Sequence, residues 1–288
     1  MVSKDKYLSV LRNATDGSIT YYVGYNEDDV KHLSNCTLIC NKSFNPQLTN
    51  VDFIKCENPQ LEFYKLSKNH KKDYLEEEKL VFSNGYYIHK EAKIGKNVEI
   101  GKGVVIGKVT IEDNVKIHPN VIIYSDTVIL SNSIIEANTV IGAEGVMWVW
   151  DKEERVYLNQ LGGVIIEKDC RIGSNVTIVR GSANENTIIG EGTCMAHGTL
   201  VGHGCVIGKN NHFANNVSLG GGVYIYDNCF FGSGVVISAG CIIEDIILVG
   251  SGGVLNGKIK KSGVYVGVPA KWIKEYQGKM SGVPIRSS

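Results

Sequence analysis

The sequence predicts a mainly β protein, in which a parallel β-helix is preceded by a small α/β domain and followed by a short helical tail. Three observations predict this fold class. An aliphatic residue followed by a small or polar one recurs every six residues through most of the chain, 33 glycines accompany only 5 prolines, and neither end of the chain shares the period. A six-residue period fits no amphipathic helix, but it suits a unit of one short strand and one tight corner. Three such units close one coil of a parallel β-helix.

Residues 1–88 precede the repeat and form the predicted α/β domain. The stretches "SITYYVGY", "CTLIC" and "VDFIKC" are typical of short strands, and "NPQLEFYKLSKNHKKDYLEEE" of a helix that begins with Asn58 before Pro59. Tyr21 and Tyr22 lie in the first of these strands, where they can stack on the ring of a ligand or belong to the core.

Residues 89–268 form the predicted β-helix. The period begins at Ile94 and still holds at Val201, Leu219 and Leu255. The aliphatic residue of each six-residue unit, or hexad, should point inward, while glycine, asparagine and aspartate tolerate the left-handed backbone of a corner. Successive coils are about 4.8 Å apart, so residues eighteen apart should lie one above the other.

Two segments break the period. The stretch "WVWDKEERVYLNQLGG", at about residues 148–164, carries two tryptophans and several charges, so we expect a loop that leaves the β-helix. Glu144 and Trp148 at its mouth are candidates for contact with a ligand, and a purely structural loop is the alternative. A second corner, at Ala183–Ile188, is one residue short. Residues 269–288 form the predicted tail, which caps the open end of the coil.

Composition excludes several classes of partner. Thirty basic residues balance thirty acidic ones, so no overall field favours nucleic acid or an anionic membrane. No signal peptide and no apolar run of roughly 20 residues is recognisable. The eight cysteines are not arranged in CxxC pairs, which predicts reduced, mostly buried thiols. We therefore expect a soluble cytoplasmic protein without a nucleic-acid or membrane partner.

Two histidines stand at equivalent positions in successive hexads. His197 and His203 each follow the inward residue by two, so they should lie on adjacent faces and cannot easily share one metal ion within a chain. Gly221 is eighteen residues beyond His203, which should place its backbone one coil above the imidazole. A neutral imidazole can accept a proton from an attacking amine, and a backbone N–H without a side chain can hold an oxyanion.

This pairing predicts acyl transfer to an amine, with His203 as general base and the Gly221 N–H as oxyanion donor. His197 is a secondary candidate, either as a catalyst or as a contact of the acceptor. The alternative is that each histidine only fills a corner. Asn215 and Asn216 stand at a corner that suits asparagine, and they are candidates for sugar contact.

The stretches "IGAEGVMWVW", "NQLGGVIIEKDCRIGSNVTIVRGSANENTIIGEG" and "VGHGCVIG" carry a family resemblance. From about Ile141 to Ala270 the chain resembles the UDP-3-O-acylglucosamine N-acyltransferases of lipid A synthesis. The resemblance implies a left-handed prism, a homotrimer with active sites between the prisms, and transfer of an acyl group from a thioester to a sugar amine. It also implies that the family's catalytic histidine is His203 and its oxyanion glycine is Gly221.

Several positions depart from that family. Gly240 in "ISAGC" replaces a second histidine near the thioester arm, Val179 replaces the aspartate of "IDRGA", and Gly24 stands near the asparagine of the uracil motif, in which Tyr21 matches the aromatic residue. The ending "GVYVGVPAKWIKE" instead resembles coenzyme A-dependent acetyltransferases of bacterial amino-sugar pathways, in which a basic residue such as Lys271 meets the nucleotide of coenzyme A.

These departures favour a related enzyme over the lipid A enzyme itself. We expect it to move an acetyl or other short acyl group from acyl-CoA to a nucleotide-linked amino sugar used in a surface glycan, with no bound cofactor. The expected contacts of the acyl donor are Ala239, Gly240, Gly257 and Lys271. The α/β domain is expected to recognise the nucleotide, and the expected contacts of the acceptor's sugar or nucleotide are Tyr21, Tyr22, Glu144, Trp148, Asn215 and Asn216. The first alternative is the lipid A enzyme itself, which uses acyl carrier protein.

A second alternative belongs to another class. The γ-type carbonic anhydrases use the same prism, contain "HGC", and hold zinc with three imidazoles. Their two late histidines are five residues apart, whereas His197 and His203 are six apart, and we expect no metal site here. A non-catalytic scaffold is the remaining option.

Overall fold

The computed structural model describes residues 6–70 and 72–276. By its internal packing the chain divides into two units. The first comprises Met1–Lys72, Glu144–Gly162 and Gly181–Glu185, and the second comprises Asp73–Ala143, Gly163–Arg180 and Asn186–Ser288. Within the described ranges, no helix is long and apolar enough to cross a membrane.

The first unit contains a four-stranded parallel sheet and a short helix; three of the strands and the helix were predicted, and Tyr7–Leu8 was not. The strands, in spatial order, are Tyr7–Leu8, Ser18–Tyr22, Cys36–Asn41 and Val51–Cys56, the α-helix is Pro59–Ser67, and 3₁₀ turns cover Leu11–Asn13, Glu27–Asp29 and Lys68–His70. The Asn58 side chain accepts a hydrogen bond from the Leu61 N–H at 3.1 Å, which caps the helix start. The helix ends earlier than predicted, because the polar residues after Ser67 offer no apolar face to bury.

The predicted excursion is a β-hairpin that belongs to this first unit. Its strands, Trp148–Asp151 and Glu154–Tyr157, pair antiparallel. Val149 and Val156 pack into the same apolar cluster as Phe63 of the helix. The Asn159 N–H donates to Ser67 Oγ at 3.1 Å. The segment that interrupts the hexad period is therefore part of the core of the α/β unit.

The second unit is a solenoid of three sheets, here called sheets A, B and C, with ten, nine and ten strands over the described residues. The strands of successive coils pair in parallel, and only the end strands Leu80–Ser83 and Lys271–Lys274 among the described residues pair antiparallel. Sheet A contains Leu80–Ser83, Tyr86–His89, Val105–Ile106, Ile122–Ile123, Val140–Ala143, Thr177–Val179, Leu200–Val201, Ser218–Leu219, Val236–Ile237 and Val254–Leu255. Sheet B contains Lys93–Ile94, Thr110–Ile111, Thr127–Ile129, Val164–Ile166, Thr187–Ile189, Val206–Ile207, Tyr224–Ile225, Ile242–Ile243 and Lys258–Ile259. Sheet C contains Glu99–Ile100, Lys116–Ile117, Ile134–Ile135, Arg171–Ile172, Cys194–Met195, His212–Phe213, Phe230–Phe231, Ile247–Val249, Gly263–Val266 and Lys271–Lys274. A 3₁₀ turn, Glu77–Lys79, precedes the first strand.

The register of the solenoid matches the hexad spacing. Val201 pairs with Leu219, and Leu219 with Ile237, each eighteen residues further along the chain. These aliphatic residues are buried in one continuous apolar core. The inward orientation predicted for Val201 is confirmed. Strand Tyr86–His89, before the expected domain start at residue 89, already pairs in this array.

The corners use the residue types that the sequence predicts. Asn114, Asn120 and Asn132 have φ of 61°, 60° and 63°, in the left-handed region that asparagine tolerates better than most residues. The side chains also bond between coils: Asn114 Nδ2 donates to Asn132 Oδ1 at 3.2 Å, and Asn120 Nδ2 donates to Asn138 Oδ1 at 3.3 Å. The corner asparagines thus stabilise both the turn and the stacking of coils.

The described part of the C-terminal tail differs from the prediction. Lys271–Lys274 is a strand that pairs antiparallel with Gly263–Val266, so the expected helix is wrong over these residues. The strand can form because the last solenoid strand leaves an unpaired edge. Trp272 packs against the core, and its Nε1–H donates to Ser262 O at 3.0 Å. The rest of the predicted tail lies outside the described residues.

Candidate active site

His203 and Gly221 lie at the same corner of the solenoid, where sheet A turns into sheet B, in consecutive coils. Their preceding strands, Leu200–Val201 and Ser218–Leu219, are paired in register. A Cβ placed on Gly221 would lie 2.6 Å from both Cδ2 and Cε1 of His203, and closer still to Nε2. The imidazole therefore lies directly against the glycine backbone, in the arrangement that the spacing predicts.

The backbone around Gly221 leaves its amide available. The neighbouring Gly220 N–H donates to Ile237 O at 2.9 Å, and the Gly222 N–H donates to His203 O at 2.7 Å. Within the described chain, the Gly221 N–H makes no hydrogen bond. The amide at the equivalent position of another hexad, that of Lys209, donates outward to the Asp227 carboxylate at 2.7 Å. A ligand oxygen at the corner can therefore receive the Gly221 N–H.

His197 lies at a different corner, where sheet C turns into sheet A, and its side chain is exposed. Its Nδ1 accepts a hydrogen bond from the Ser174 N–H at 2.9 Å. In a neutral ring held this way Nε2 carries the proton and can donate to a ligand. The role of His197 as a secondary catalyst or a contact of the acceptor stays a prediction. Asn215 and Asn216 stand at the same corner one coil further on, because the Asn216 N–H donates to His197 O at 2.9 Å.

The predicted site residues of the solenoid thus form two groups on separate corners of one chain. His203 and Gly221 belong to one group, and His197, Asn215 and Asn216 to the other. One face of the coil, strand Leu200–Val201, separates His197 from His203. Within a single chain the structure does not bring the two groups together.

Three of the four expected contacts of the acyl donor continue the His203 corner. Ala239 follows Gly221 by one coil and Gly257 follows by two, since Leu219, Ile237 and Leu255 pair in succession. Gly240 and Gly257 have open space where a Cβ would project. A strip without bulky side chains therefore runs from the imidazole toward the end of the solenoid. Lys271, the fourth contact, is exposed in the last strand of sheet C.

Tyr21 and Tyr22 are both engaged within the first unit. The Tyr21 ring lies 4.8 Å from that of Phe63, and burial, followed by the interaction with Tyr64, raises the pKa of Tyr21 to about 12. Tyr22 donates its hydroxyl to the Asp29 carboxylate at 2.6 Å, and its ring lies 5.4 Å from that of Phe44. Their predicted contact with a nucleotide stays a prediction.

Glu144 and Trp148 also lie in the first unit. Glu144 Oε1 accepts a hydrogen bond from the Gln160 N–H at 3.3 Å. Trp148 lies on the outer face of the hairpin with Trp150, the ring centroids 5.0 Å apart, and the Arg155 guanidinium lies 4.7 Å from the Trp148 ring. The predicted contact of Glu144 and Trp148 with an acceptor stays a prediction.

Two buried polar residues near the His203 corner were missed by sequence reasoning. Arg180 occupies the equivalent position one coil below His203, since Ile178 pairs with Val201. It is fully buried, with its guanidinium 3.3 Å from the ring centroid of Tyr74 and its Nη2 donating to Ser125 O at 2.8 Å. The second is Thr187, the first residue of the sheet B strand that follows the interrupted corner. The only sequence signal for either residue was the broken period at this point.

The described residues contain no group of three or more histidine, cysteine, aspartate or glutamate side chains arranged to hold a metal ion. The zinc alternative needs three such ligands around one ion. A single chain does not supply them within its described part.

Residues 108–143 match the family described as bacterial transferase hexapeptide (six repeats), and residues 163–181 match the hexapeptide repeat of succinyl-transferase. A search with the sequence among curated proteins found no match. The solved structures include several similar proteins. LpxA, a UDP-N-acetylglucosamine acyltransferase from Bacteroides fragilis, is 30% identical over 67% of this chain and 74% of its own, with a TM-score of 0.60.

Two further structures show the same likeness. LpxA from Acinetobacter baumannii is 27% identical over 65% of this chain and 71% of its own, with a TM-score of 0.59. The UDP-N-acetylglucosamine O-acyltransferase from Moraxella catarrhalis is 25% identical over 68% and 75%, with a TM-score of 0.59. These matches confirm the left-handed parallel β-helix and the resemblance to acyltransferases of the lipid A pathway.

Proposed function

Because the chain belongs to the hexapeptide-repeat acyltransferases, the family of the LpxA-type enzymes, we propose that it transfers an acyl group from acyl-CoA to the amine of a nucleotide-linked amino sugar. The observation that carries this proposal is the contact between the His203 imidazole and the Gly221 backbone, whose N–H makes no hydrogen bond within the described chain. A base and an oxyanion donor side by side are what acyl transfer from a thioester requires.

The proposed reaction proceeds through a tetrahedral intermediate. The sugar amine attacks the thioester carbonyl, and the carbonyl oxygen becomes an oxyanion that accepts the Gly221 N–H. His203 accepts the proton that the attacking amine must lose. The carbon–sulfur bond then breaks, the coenzyme A thiolate leaves, and the imidazolium returns the proton to it. An oxyanion donor of this kind typically contributes several kcal/mol to the transition state.

The acyl donor is proposed to lie along the strip of small residues beside His203. Ala239, Gly240 and Gly257 leave room for a narrow chain such as the pantetheine arm, and the open space at Gly240 and Gly257 supports this placement. Exposed Lys271 is proposed to meet the nucleotide end of coenzyme A. Acyl carrier protein, the donor in the alternative reading, would present the same thioester on a protein.

The acceptor is proposed to be a sugar nucleotide, because similar proteins are named for UDP-N-acetylglucosamine. The nucleotide is assigned to the first unit, through Tyr21, Tyr22, Glu144 and Trp148. His197 is assigned to the sugar as a hydrogen-bond donor, together with the exposed Asn215 and Asn216. We propose a homotrimer, because the His197 group and the His203 group lie on separate corners of one chain, and a neighbouring copy can bring one group to the other.

Transfer to a hydroxyl is a second candidate, since the Moraxella catarrhalis protein is named an O-acyltransferase. The same base and oxyanion donor serve an attacking hydroxyl. The identity of the acceptor atom therefore decides between an amide product and an ester product.

A panel of substrates tests both candidates. The acceptors would be UDP- and dTDP-linked amino sugars, together with UDP-N-acetylglucosamine, which offers hydroxyls but no free amine. Each acceptor would be mixed with acetyl-CoA, a longer acyl-CoA or acylated carrier protein as the donor. Thiol release and product mass would be followed, and mild hydroxylamine would distinguish esters from amides. We expect a hydroxylamine-stable product from an amino sugar and acyl-CoA. An ester product would select transfer to a hydroxyl, and a requirement for carrier protein would select the lipid A enzyme. Absence of thiol release with every donor and acceptor pair would contradict acyl transfer.

A measurement of bound metal accompanies the panel. Activity that survives exhaustive dialysis against a chelator is expected from a base and an amide N–H. Stoichiometric zinc in the active protein would instead support the carbonic anhydrase-like alternative.

A further inference from the structure

The corners of the solenoid are normally held by backbone hydrogen bonds. At a regular corner, the residue with left-handed backbone donates its N–H to a carbonyl of the coil below. Asn210 donates to Glu191 O at 2.9 Å, Asn216 to His197 O at 2.9 Å, and Gly222 to His203 O at 2.7 Å. The corner that carries Gly221 is thus fixed by the coil that carries His203.

The corner that carries His203 has no regular coil beneath it. Arg180 is the residue equivalent to His203 in the coil below, and the chain leaves the solenoid directly after it, at Gly181–Glu185. The left-handed residue of the His203 corner is Gly204, with φ of 62°. Its N–H donates to a side chain, the Oγ1 of Thr187, at 2.9 Å.

Thr187 connects the two coils through its hydroxyl. Oγ1 accepts the Gly204 N–H and donates its own proton to Val179 O at 2.6 Å. The residue is fully buried, and its backbone is held in sheet B by pairing with Val164. Both hydrogen bonds of the hydroxyl are therefore fixed in direction, and an isosteric valine can make neither.

We propose that Thr187 is a positioning residue for His203. Its hydroxyl accepts the Gly204 N–H, as a carbonyl of the coil below does at a regular corner, and thereby holds His203 where its imidazole meets Gly221. This inference rests on the proposed function, because it assigns a residue to the same reaction. A displacement of about 1 Å at a reacting group can lower the rate about 100-fold, so a single buried hydroxyl next to the base can matter.

The test compares three variants of this residue with a matched control. Thr187→Val and Thr187→Ala remove the hydroxyl, and Thr187→Ser restores it. Thr139→Val is the control, because Thr139 is equally buried and forms the same kind of bridge elsewhere. Thr139 Oγ1 donates to Gly173 O at 2.7 Å and accepts the Val176 N–H at 3.2 Å.

We expect Thr187→Val to lower kcat by about 10- to 100-fold with KM changed by less than about 3-fold. Thr187→Ser should keep kcat within about 3-fold of wild type, and Thr139→Val should lose comparable stability without the loss of kcat. In a His203→Ala background, Thr187→Val should have no further effect on the residual rate, because it acts through the imidazole. Thr187→Ala serves the same purpose if the valine variant does not fold.

Hydrogen exchange gives a readout that does not depend on activity. Exchange at the Gly204 amide should be faster in Thr187→Val than in wild type, while exchange at the Gly222 amide is unchanged. The inference would be overturned if Thr187→Val and Thr139→Val lost kcat equally. It would also be overturned if Thr187→Val lowered the residual rate of His203→Ala as strongly as it lowers the wild-type rate. Normal activity of the single variant His203→Ala would instead reject the proposed function. If His203→Ala is inactive and Thr187→Val is fully active, only the inference about Thr187 is rejected.

Discussion

The imidazole of His203 occupies the space that any side chain at Gly221 would need. A Cβ on residue 221 would lie within 2.6 Å of two ring carbons of His203. Ala239, at the equivalent position one coil further on, shows that this corner accepts a β-carbon where no imidazole lies beneath it. The glycine at residue 221 is therefore explained by contact with the ring.

We expect Gly221→Ala to lower kcat by about 100-fold, because the added methyl group displaces the imidazole by a few tenths of an ångström or more. The backbone of residue 221 does not need positive φ, so the fold should tolerate the change. Steady-state kinetics and thermal unfolding would be measured together, so that a loss of turnover is distinguished from a loss of fold. Wild-type turnover in Gly221→Ala would show that ring and amide do not act together.

His203→Ala should lower kcat by about two to four orders of magnitude, in line with loss of a general base. His197→Ala is the matched control on the neighbouring corner. Since His197 Nδ1 already accepts the Ser174 N–H, its loss should raise KM of the acceptor rather than lower kcat. The measurement is the rate of thiol release at saturating substrates. A larger kcat loss in His197→Ala than in His203→Ala would reverse the assignment.

Ile246 carries backbone strain at a corner remote from His203. Its φ is 59°, in the left-handed region that disfavours β-branched residues, and other corners place asparagine or glycine there. We expect Ile246→Asn to raise the free energy of unfolding by about 1 kcal/mol, because the strain is relieved. Denaturant titration would measure it, and Ile246→Val, which keeps the branched side chain, should give no gain. A loss of stability in Ile246→Asn would mean that the side chain contributes more packing than strain.

His212 should make the protein less stable in mild acid. Burial lowers the pKa of His212 from its usual 6.5, and its ring stacks on Phe230 with centroids 5.2 Å apart. The unfolded chain therefore binds a proton at His212 more readily than the folded chain does. The free energy of unfolding that neutral His212 contributes is present above the unfolded pKa, and it is lost as the pH falls from 6.5 toward the folded pKa. His212→Phe, which keeps the stacking, should lose less stability than wild type between pH 7 and pH 5. Parallel stability curves for the two proteins would contradict this.

Much of the fold could be predicted because it depends on a short-range rule. A hexad places each aliphatic residue inward whatever the distant sequence does, so Val201, Leu219 and their equivalents were assigned correctly. Three of the four sheet strands of the first unit were also recognisable. The tail was not, because Lys271–Lys274 became a strand only by pairing with an edge left open by the last coil. The excursion was predicted as a loop, but its packing with the α/β unit depends on contacts between residues far apart in the chain.

The sequence by itself determined the repeat, the inward column, and the stacking of His203 beneath Gly221, because all three follow from a constant spacing along a chain that winds regularly. Only the tertiary structure decided what happens where that regularity fails. The buried Arg180 and the hydroxyl of Thr187 are placed at the His203 corner by a break in the winding, and no periodic rule predicts which side chain will complete an interrupted corner. The buried Gly204 amide needs an acceptor, and the folded chain supplies one from the Thr187 hydroxyl.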